Sequence, residues 1–318
     1  MVRALRVDRG EAARLVEVDE GSLGGPGGAD GVLVDVTHSS VNYKDALAVT
    51  GRPGVIRADT LIPGIDLVGI RRDTGERVLV NGCGLGETHD GGLAEVARVP
   101  AEWLVRTPDR FSDAQAAAVG TAGYTAALCL LALGELPEAG EVVVTGATGG
   151  VGSIAILLLA ASGRSVAAVT GKPSQHDYLR RLGATTIVDR ADLETPGKAL
   201  QTERWAGAID TAGGAILANI VSQTRYGATV AACGMAADPT VTASMMPFIL
   251  RGVTLAGVNS VFTPRDRREA AWHLLQRDLD TDLLDSLTTS IGLDEVVTTA
   301  ERMLAGATTG RIVVDVTA

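Results

Sequence analysis

Two short runs hold residues whose types and spacing could do chemistry. In VVVTGATGGVG, Gly146, Gly149, Gly150 and Gly152 lie between a β-branched stretch, Val142 to Val144, and the apolar stretch SIAILLLA. Glycines at a strand-to-helix turn let the backbone approach a pyrophosphate, whose charge then meets the positive helix N-terminus and its unpaired N–H groups. The spacing is GxxGGxG rather than GxGxxG, so the placement between strand and helix carries the reading. Counting 20 positions from Gly152 reaches Lys172, where a site selective for NAD would put Asp or Glu. Thr170, Gly171, Lys172 and Ser174 stand there instead, and a cation among hydroxyls suits a 2′-phosphate. The cofactor expected is NADPH. The second run, Asn42, Tyr43, Lys44 and Asp45, puts an amide, a phenol, an ammonium and a carboxylate on one short segment. A packed aromatic for Tyr43 and a salt bridge for Lys44 and Asp45 are the plainer alternatives.

These runs need elements to hold them. The first ~118 residues read as β-rich, with strands near Ala4 to Val7, Val32 to Ser39, Arg77 to Val80 and Gly92 to Val99, and a Gly-rich loop from Gly21 to Gly31. From Asp113 the pattern turns to Ala-rich helix, with Thr121 to Leu133 amphipathic or buried. Strands and helices then alternate: helix Gln175 to Leu182, strands Thr186 to Val188 and Trp205 to Asp210, helix Ala215 to Gln223, strands Ala228 to Cys233 and Thr254 to Gly257. That alternation implies a parallel, doubly wound sheet. Helices Arg265 to Arg277 and Asp294 to Ala305 follow, and the last strand, Arg311 to Val316, is expected to return to the N-terminal domain.

Composition narrows the function classes. The chain has 318 residues, 46% of them hydrophobic, enough for one large or two ordinary domains with real cores. Its net charge of −10 argues against nucleic acid or an anionic membrane as partner, so an anionic ligand must be met by a local cluster of cations. The N-terminus MVRALRVDRG lacks an apolar signal region, and the longest strongly apolar run, Ile154 to Ala161, is short of a membrane span. A cytoplasmic location is expected. Cys83, Cys129 and Cys233 are odd in number and far apart, no CxxC occurs, and the four histidines are not spaced for a metal, so neither a disulfide framework nor a zinc site is expected.

Several longer runs carry a resemblance: SSVNYKDALAVTG, PGIDLVG, GTAGYTAALC, VVVTGATGGVG, WAGAIDTAGG, AACGMA and MPFILRGVTLAGVNSV. Together they resemble the medium-chain dehydrogenase/reductase superfamily, in its zinc-free acryloyl-CoA reductase and quinone oxidoreductase branch. The resemblance implies an α/β protein with a GroES-like β-rich catalytic domain over 1–118, completed by 289–318, and a Rossmann NADPH-binding domain over 119–288. It implies reduction of an activated C=C, such as that of acryloyl-CoA, by hydride transfer; a quinone reductase and a non-catalytic NADPH-binding protein are the alternatives.

Residue by residue, the resemblance places Tyr43 at the nicotinamide end, with Tyr43 and Asn42 as candidate catalytic groups. It sets Thr148, Gly149, Gly150 and Val151 at the phosphates, Thr170, Gly171 and Lys172 at the 2′-phosphate, and Arg190 as a further cofactor contact beyond the third strand. Met235, Ile249 and Ser260 flank the nicotinamide half, and the runs around Thr125 and Gly213 border the cofactor. Zinc relatives carry a GHE segment; here the matching residues are Gly64, Ile65 and Asp66. Without a Lewis acid, alcohol oxidation is poorly supported. A homodimer is expected through the strand Gly252 to Val258 at a sheet edge. Arg265, Arg267 and Arg268 are either a site for CoA phosphates or a solvated helical face.

Overall fold

The computed structural model describes residues 1–24, 31–137 and 139–318. Most of the expected Gly21 to Gly31 loop, from Gly25 to Asp30, lies outside the described residues. The elements begin β1 (Val2–Asp8), β2 (Arg14–Val18), β3 (Val32–Ser40), α1 (Tyr43–Val49), β4 (Thr60–Leu61), β5 (Asp66–Arg71) and β6 (Arg77–Asn81). Next come β7 (Val96–Val99), β8 (Val105–Arg106), α2 (Asp113–Leu133), β9 (Glu141–Val144), α3 (Gly150–Ala161), β10 (Ser165–Thr170), α4 (His176–Arg181), β11 (Thr186–Asp189) and β12 (Trp205–Asp210). The chain closes with α5 (Gly214–Gln223), β13 (Thr229–Ala232), α6 (Met246–Arg251), β14 (Thr254–Gly257), α7 (Arg265–Asp278), α8 (Thr281–Ser286), β15 (Thr288–Gly292), α9 (Val296–Leu304) and β16 (Arg311–Asp315).

Two compact units result. The β-rich unit comprises 1–121, 260–262 and 284–318; the parallel-sheet unit comprises 122–259 and 263–283. The β-rich unit thus runs three residues past the expected end at 118, because Thr121 is bonded by its N–H and hydroxyl to Asp66 of β5.

In the β-rich unit the main sheet runs β15-β16-β3-β5-β6-β8, with β7 also paired to β3, and a smaller sheet runs β2-β1-β4. The last strand does return: β16 pairs antiparallel with β3, Val313 opposite Ser40. Alternating inward residues of β3, β5 and β6 (Val34, Val36, Leu67, Val78, Val80) build the core, joined by Val41, Ala46 and Val49 at α1 and by Val296 and Ala300 of α9. The expected strand Gly92 to Val99 is ordered as a strand only from Val96. Its first residues pair with a loop instead: the Gly92 N–H donates to the Gly64 carbonyl and the Leu93 N–H to the Pro63 carbonyl.

In the parallel-sheet unit the strand order is β11-β10-β9-β12-β13-β14, and every pairing is parallel. The order reverses between β9 and β12, the switch point at whose carboxyl ends doubly wound sheets bind ligands. Helix α3 is buried from Gly152 to Leu159, which accounts for an apolar sequence with no polar face. Helix α2, at 21 residues, is a longer apolar element than the Ile154 to Ala161 run singled out from the sequence, and by length and composition it could cross a membrane. It is a mostly buried core helix, broken at Gly120, whose backbone (φ 46°, ψ −157°) is not helical.

Candidate active site

The parallel-sheet unit builds a nucleotide cradle at the ends of β9, β10 and β12. Gly149 caps α3 in an extended conformation with no side-chain hydrogen bond, so the N–H groups of the first turn stay open to an anion. A side chain on Gly152 would collide with the Gly146 carbonyl, so the turn can close only with glycine there. Thr148 is buried beside it. Underneath lies Asp210, fully buried: it accepts from Thr145 Oγ1 (2.7 Å) and from the Gly213 N–H (2.8 Å), and Thr145 Oγ1 accepts from the Thr211 N–H (2.9 Å). One carboxyl thereby ties the turn after β9 to the turn after β12. Burial pushes its pKa up, while the bonds from Thr145, Gly213 and Ala212 pull it down. Asp210, Thr145 and Thr211 were not singled out from the sequence; an acid ending a wholly apolar strand, AIDTAGG, is the signal that could have found them.

The cation site forms by sheet register. Thr170 pairs with Asp189 across β10 and β11, which brings the next residues, Gly171 and Arg190, side by side. A methyl group on Gly171 would stand 3.1–3.3 Å from the guanidinium of Arg190, so that side chain lies across the Gly171 backbone, held by an ion pair to Glu194 (2.6 Å). Lys172 is half-buried and its N–H donates to Thr170 Oγ1 (3.1 Å). Thr170, Gly171, Lys172 and Arg190 are thus one cluster. Thr125 is buried, whereas Met235 and Ile249 are strongly exposed for apolar side chains. Ser260 falls in the β-rich unit and is half-buried there.

In the β-rich unit, Tyr43 is the first residue of α1 and about half exposed. The turn bearing it is clamped from below. Asp45 closes a capping box with Asn42, accepting from the Asn42 N–H (2.8 Å) and Asn42 Nδ2 (3.0 Å), and its other oxygen accepts from the Ile65 N–H (2.9 Å). Burial, and next the charge of Asp66, raise the Asp45 pKa to about 6, against the opposing effect of those hydrogen bonds.

Asp66 is met by five donors: Ser40 Oγ (2.6 Å) and Asn42 Nδ2 (2.8 Å) at one oxygen, and Asn81 Nδ2 (2.6 Å), the Thr121 N–H (2.8 Å) and Thr121 Oγ1 (2.7 Å) at the other. Asn42, a candidate catalytic group by the resemblance, is turned inward. It is buried, with Nδ2 engaged by the two carboxylates and Oδ1 accepting from Arg311 Nη1 (3.1 Å). The physical reason is the capping box, which turns the amide inward. Lys44 is spent on Glu87 at 2.8 Å.

The residues do not fit zinc. Ile65 brings no ligating atom, and both oxygens of Asp66 are taken up by protein donors. The three arginines of α7 do not share one exposed face. Arg268 is buried with its guanidinium 4.8 Å from the centre of the Tyr124 ring, Arg265 pairs with Glu269 (2.9 Å), and Arg267 is exposed with no ion pair among the described residues. Helix periodicity turns one face of α7 to the core, and Arg268 lies on that face with Ala271, Trp272 and Leu275.

A six-stranded parallel sheet with an open glycine turn, in a chain that also folds a β-rich unit, defines a nicotinamide-dependent oxidoreductase class with Rossmann and GroES-like domains. The family model described as zinc-binding dehydrogenase matches residues 150–277. The acrylyl-CoA reductase AcuI of Ruegeria pomeroyi is 44% identical over 298 residues, covering 90% of this chain and 90% of that protein. The solved yhdH oxidoreductase of Salmonella enterica, in complex with NADP, is 44% identical with a TM-score of 0.95, covering 99% of each chain. The solved Bacillus subtilis protein yhfP, with NAD bound, is 38% identical with a TM-score of 0.93, again covering 99% of each. The chain belongs to the medium-chain dehydrogenase/reductase family, in its acryloyl-CoA reductase and quinone oxidoreductase branch.

Proposed function

We propose that this protein reduces the activated C=C of a short enoyl-CoA, such as acryloyl-CoA, with NADPH and without a metal. The observation that carries the reading is the pairing, in one chain, of a cation cluster at the end of β10 with a clamped turn presenting Tyr43 where a zinc site does not fit. The likeness to an acrylyl-CoA reductase supports the substrate class.

When bound, the cofactor supplies the hydride that an electron-poor carbon accepts. This chain's residues supply the rest. Lys172 and Arg190, with the Thr170 hydroxyl, would hold the 2′-phosphate, while Thr148, Gly150 and Val151 would meet the pyrophosphate with backbone N–H groups, the Gly149 N–H being given to the Gly146 carbonyl (2.9 Å). Tyr43 presents a hydroxyl that donates to the carbonyl oxygen on which charge develops. Solvent protonates the product carbon, because neither Lys44, paired to Glu87, nor the buried Asn42 is placed to do so.

We place the protein in a reducing cytoplasm, consistent with three cysteines held as thiols. We also propose a homodimer. Among the described residues, strand β14 pairs with β13 alone at the sheet edge and exposes Thr254, Leu255 and Gly257, and Ile249 and Leu250 of the preceding α6 are exposed too. Sedimentation as a monomer at micromolar concentration would refute it.

The decisive experiment compares kcat/KM for acryloyl-CoA, crotonyl-CoA and 1,4-benzoquinone, following NADPH fluorescence. An enoyl-CoA preference supports the proposal, a benzoquinone preference moves the protein to the quinone reductases, and binding of NADPH with no acceptor-dependent consumption makes it a non-catalytic binder.

A further inference from the structure

The β-rich unit holds a group of buried charged and amide side chains that the hydride-transfer chemistry does not use. At its centre is Arg311, contributed by the last strand and almost wholly buried. Its guanidinium spends every nitrogen inside the unit: Nε on the Ala118 carbonyl (2.5 Å), Nη1 on Asn42 Oδ1 (3.1 Å), and Nη2 on Ser40 Oγ (3.0 Å) and, more loosely, the Ala117 carbonyl (3.5 Å). Among the described residues no direct ion pair joins Arg311 to Asp45 or Asp66. The connection passes through Ser40 and Asn42, each of which accepts from Arg311 and donates to Asp66.

Chain connectivity gives this arrangement its meaning. Asn42 immediately precedes Tyr43 and caps its helix, so whatever fixes the Asn42 side chain fixes the first turn of α1. A guanidinium is planar and presents its donors in a fixed fork, which suits it to hold one amide oxygen, one hydroxyl and one carbonyl at set angles. An unpaired buried cation is costly, and two buried carboxylates beside it keep Arg311 in place. The backbone also makes room for it: Gly120 breaks α2 where a side chain would meet Asp66 Oδ2 at 2.6 Å and Arg311 Nη2 at 2.9 Å.

We propose that Arg311 is a positioning residue for the reaction, setting the orientation of Tyr43 through the Arg311–Asn42 hydrogen bond at the N-cap of α1. The proposal rests on the enoyl-CoA reductase reading, and it assigns a catalytic consequence to a residue that touches no substrate. Displacement of a donor by about 1 Å is enough to cost on the order of 100-fold in turnover. Substrate and NADPH affinity, set by other residues, stay nearly constant.

The test is Arg311→Ala in the full-length protein, measured three ways. NADPH affinity is read by fluorescence titration, kcat and KM with acryloyl-CoA by NADPH consumption, and backbone hydrogen exchange by mass spectrometry over peptides spanning 41–50 and 142–172. The expected result is an unchanged NADPH Kd, a fall in kcat on the order of 100-fold with little change in KM, and faster exchange over 41–50 but not over 142–172. Millimolar methylguanidinium should restore a measurable part of kcat by refilling the vacated space. A folded variant with wild-type kcat, or one whose kcat falls with no rescue and no change in exchange over 41–50, overturns the proposal. Where Arg311→Ala does not fold, Asn42→Ala removes the same link while leaving Arg311 beside Asp45 and Asp66; the same kcat loss and exchange change are expected, and wild-type kcat overturns the proposal. If the wild-type protein consumes no NADPH with acryloyl-CoA, the functional reading fails, while the exchange comparison still decides whether Arg311 orders the turn.

Discussion

Replacing Asp45 by Asn should change how stability depends on pH, and the size follows from the environment of that carboxyl. Asp45 is buried, and desolvation together with the neighbouring charge of Asp66 lifts its pKa from 3.8 to about 6. A carboxyl whose folded pKa lies above its unfolded value stabilises the fold fully below pH 3.8, and that contribution is lost as pH rises through about 6. At about 1.4 kcal/mol per pH unit, the ionised form is disfavoured by roughly 3 kcal/mol, of which about 2 kcal/mol is lost between pH 4.5 and 7.5. Asn has the same shape and no titrating proton, so its stability lacks this slope. A constant penalty replaces it, because in either orientation the amide nitrogen would face a donor, the Ile65 N–H or the two donors of Asn42.

The assay is urea denaturation of wild type and Asp45→Asn at several pH values. Taking the difference between the two proteins cancels the opposite slopes of Glu20, Asp73, Glu95 and Asp315, whose pKa values are lowered in the fold. Wild type should lose about 2 kcal/mol relative to the variant as pH rises from 4.5 to 7.5. A difference constant within about 0.5 kcal/mol over that range, or one of opposite sign, would refute the reasoning.

Lys172→Ala should weaken NADPH binding by ~1–3 kcal/mol, the range for a charge-assisted hydrogen bond, with little effect on NADH; equal loss for both cofactors in fluorescence titrations rejects the 2′-phosphate assignment. Gly120→Ala should destabilise the fold by roughly 2 kcal/mol or more, since it adds a positive-φ cost to a collision with Asp66 and Arg311; a loss below about 0.5 kcal/mol in urea shows that the network can move aside. Activity should survive exhaustive chelation with no stoichiometric zinc by elemental analysis, and reactivation by added zinc after dialysis would contradict the reading of Ile65 and Asp66.

What was legible in the sequence was local. The βαβ unit around Gly152 announces itself because its strand, turn and helix are consecutive and each has its own residue signature. Strands Trp205–Asp210 and Thr254–Gly257 and the edge position of the latter follow from the same alternation of apolar strands with helices. The position of Lys172 just past β10 was legible for the same reason, since one helix and one strand separate it from the turn. Strand β5 and helix α1 were not singled out, although PGIDLVG and NYKD were: both are short, and their ends are set by long-range hydrogen bonds to Asp45 and Asp66.

By itself, then, the sequence determined the glycine turn between strand and helix, the cation and hydroxyls that follow β10, and the lack of zinc-ligating types at residues 64 and 65, because each depends on residue identity at a fixed local spacing. Only the tertiary structure decided which polar residues are available to a ligand. Asn42, a candidate catalytic group, and Arg268, a candidate for CoA phosphates or a solvated face, are both buried, the first by a capping box and the second by the inward face of α7. Arg311, 269 positions from Asn42, could be joined to it only when β16 returned to pair with β3. Burial and hydrogen-bond partnership are properties of distant segments brought together, and no local pattern of residues encodes them.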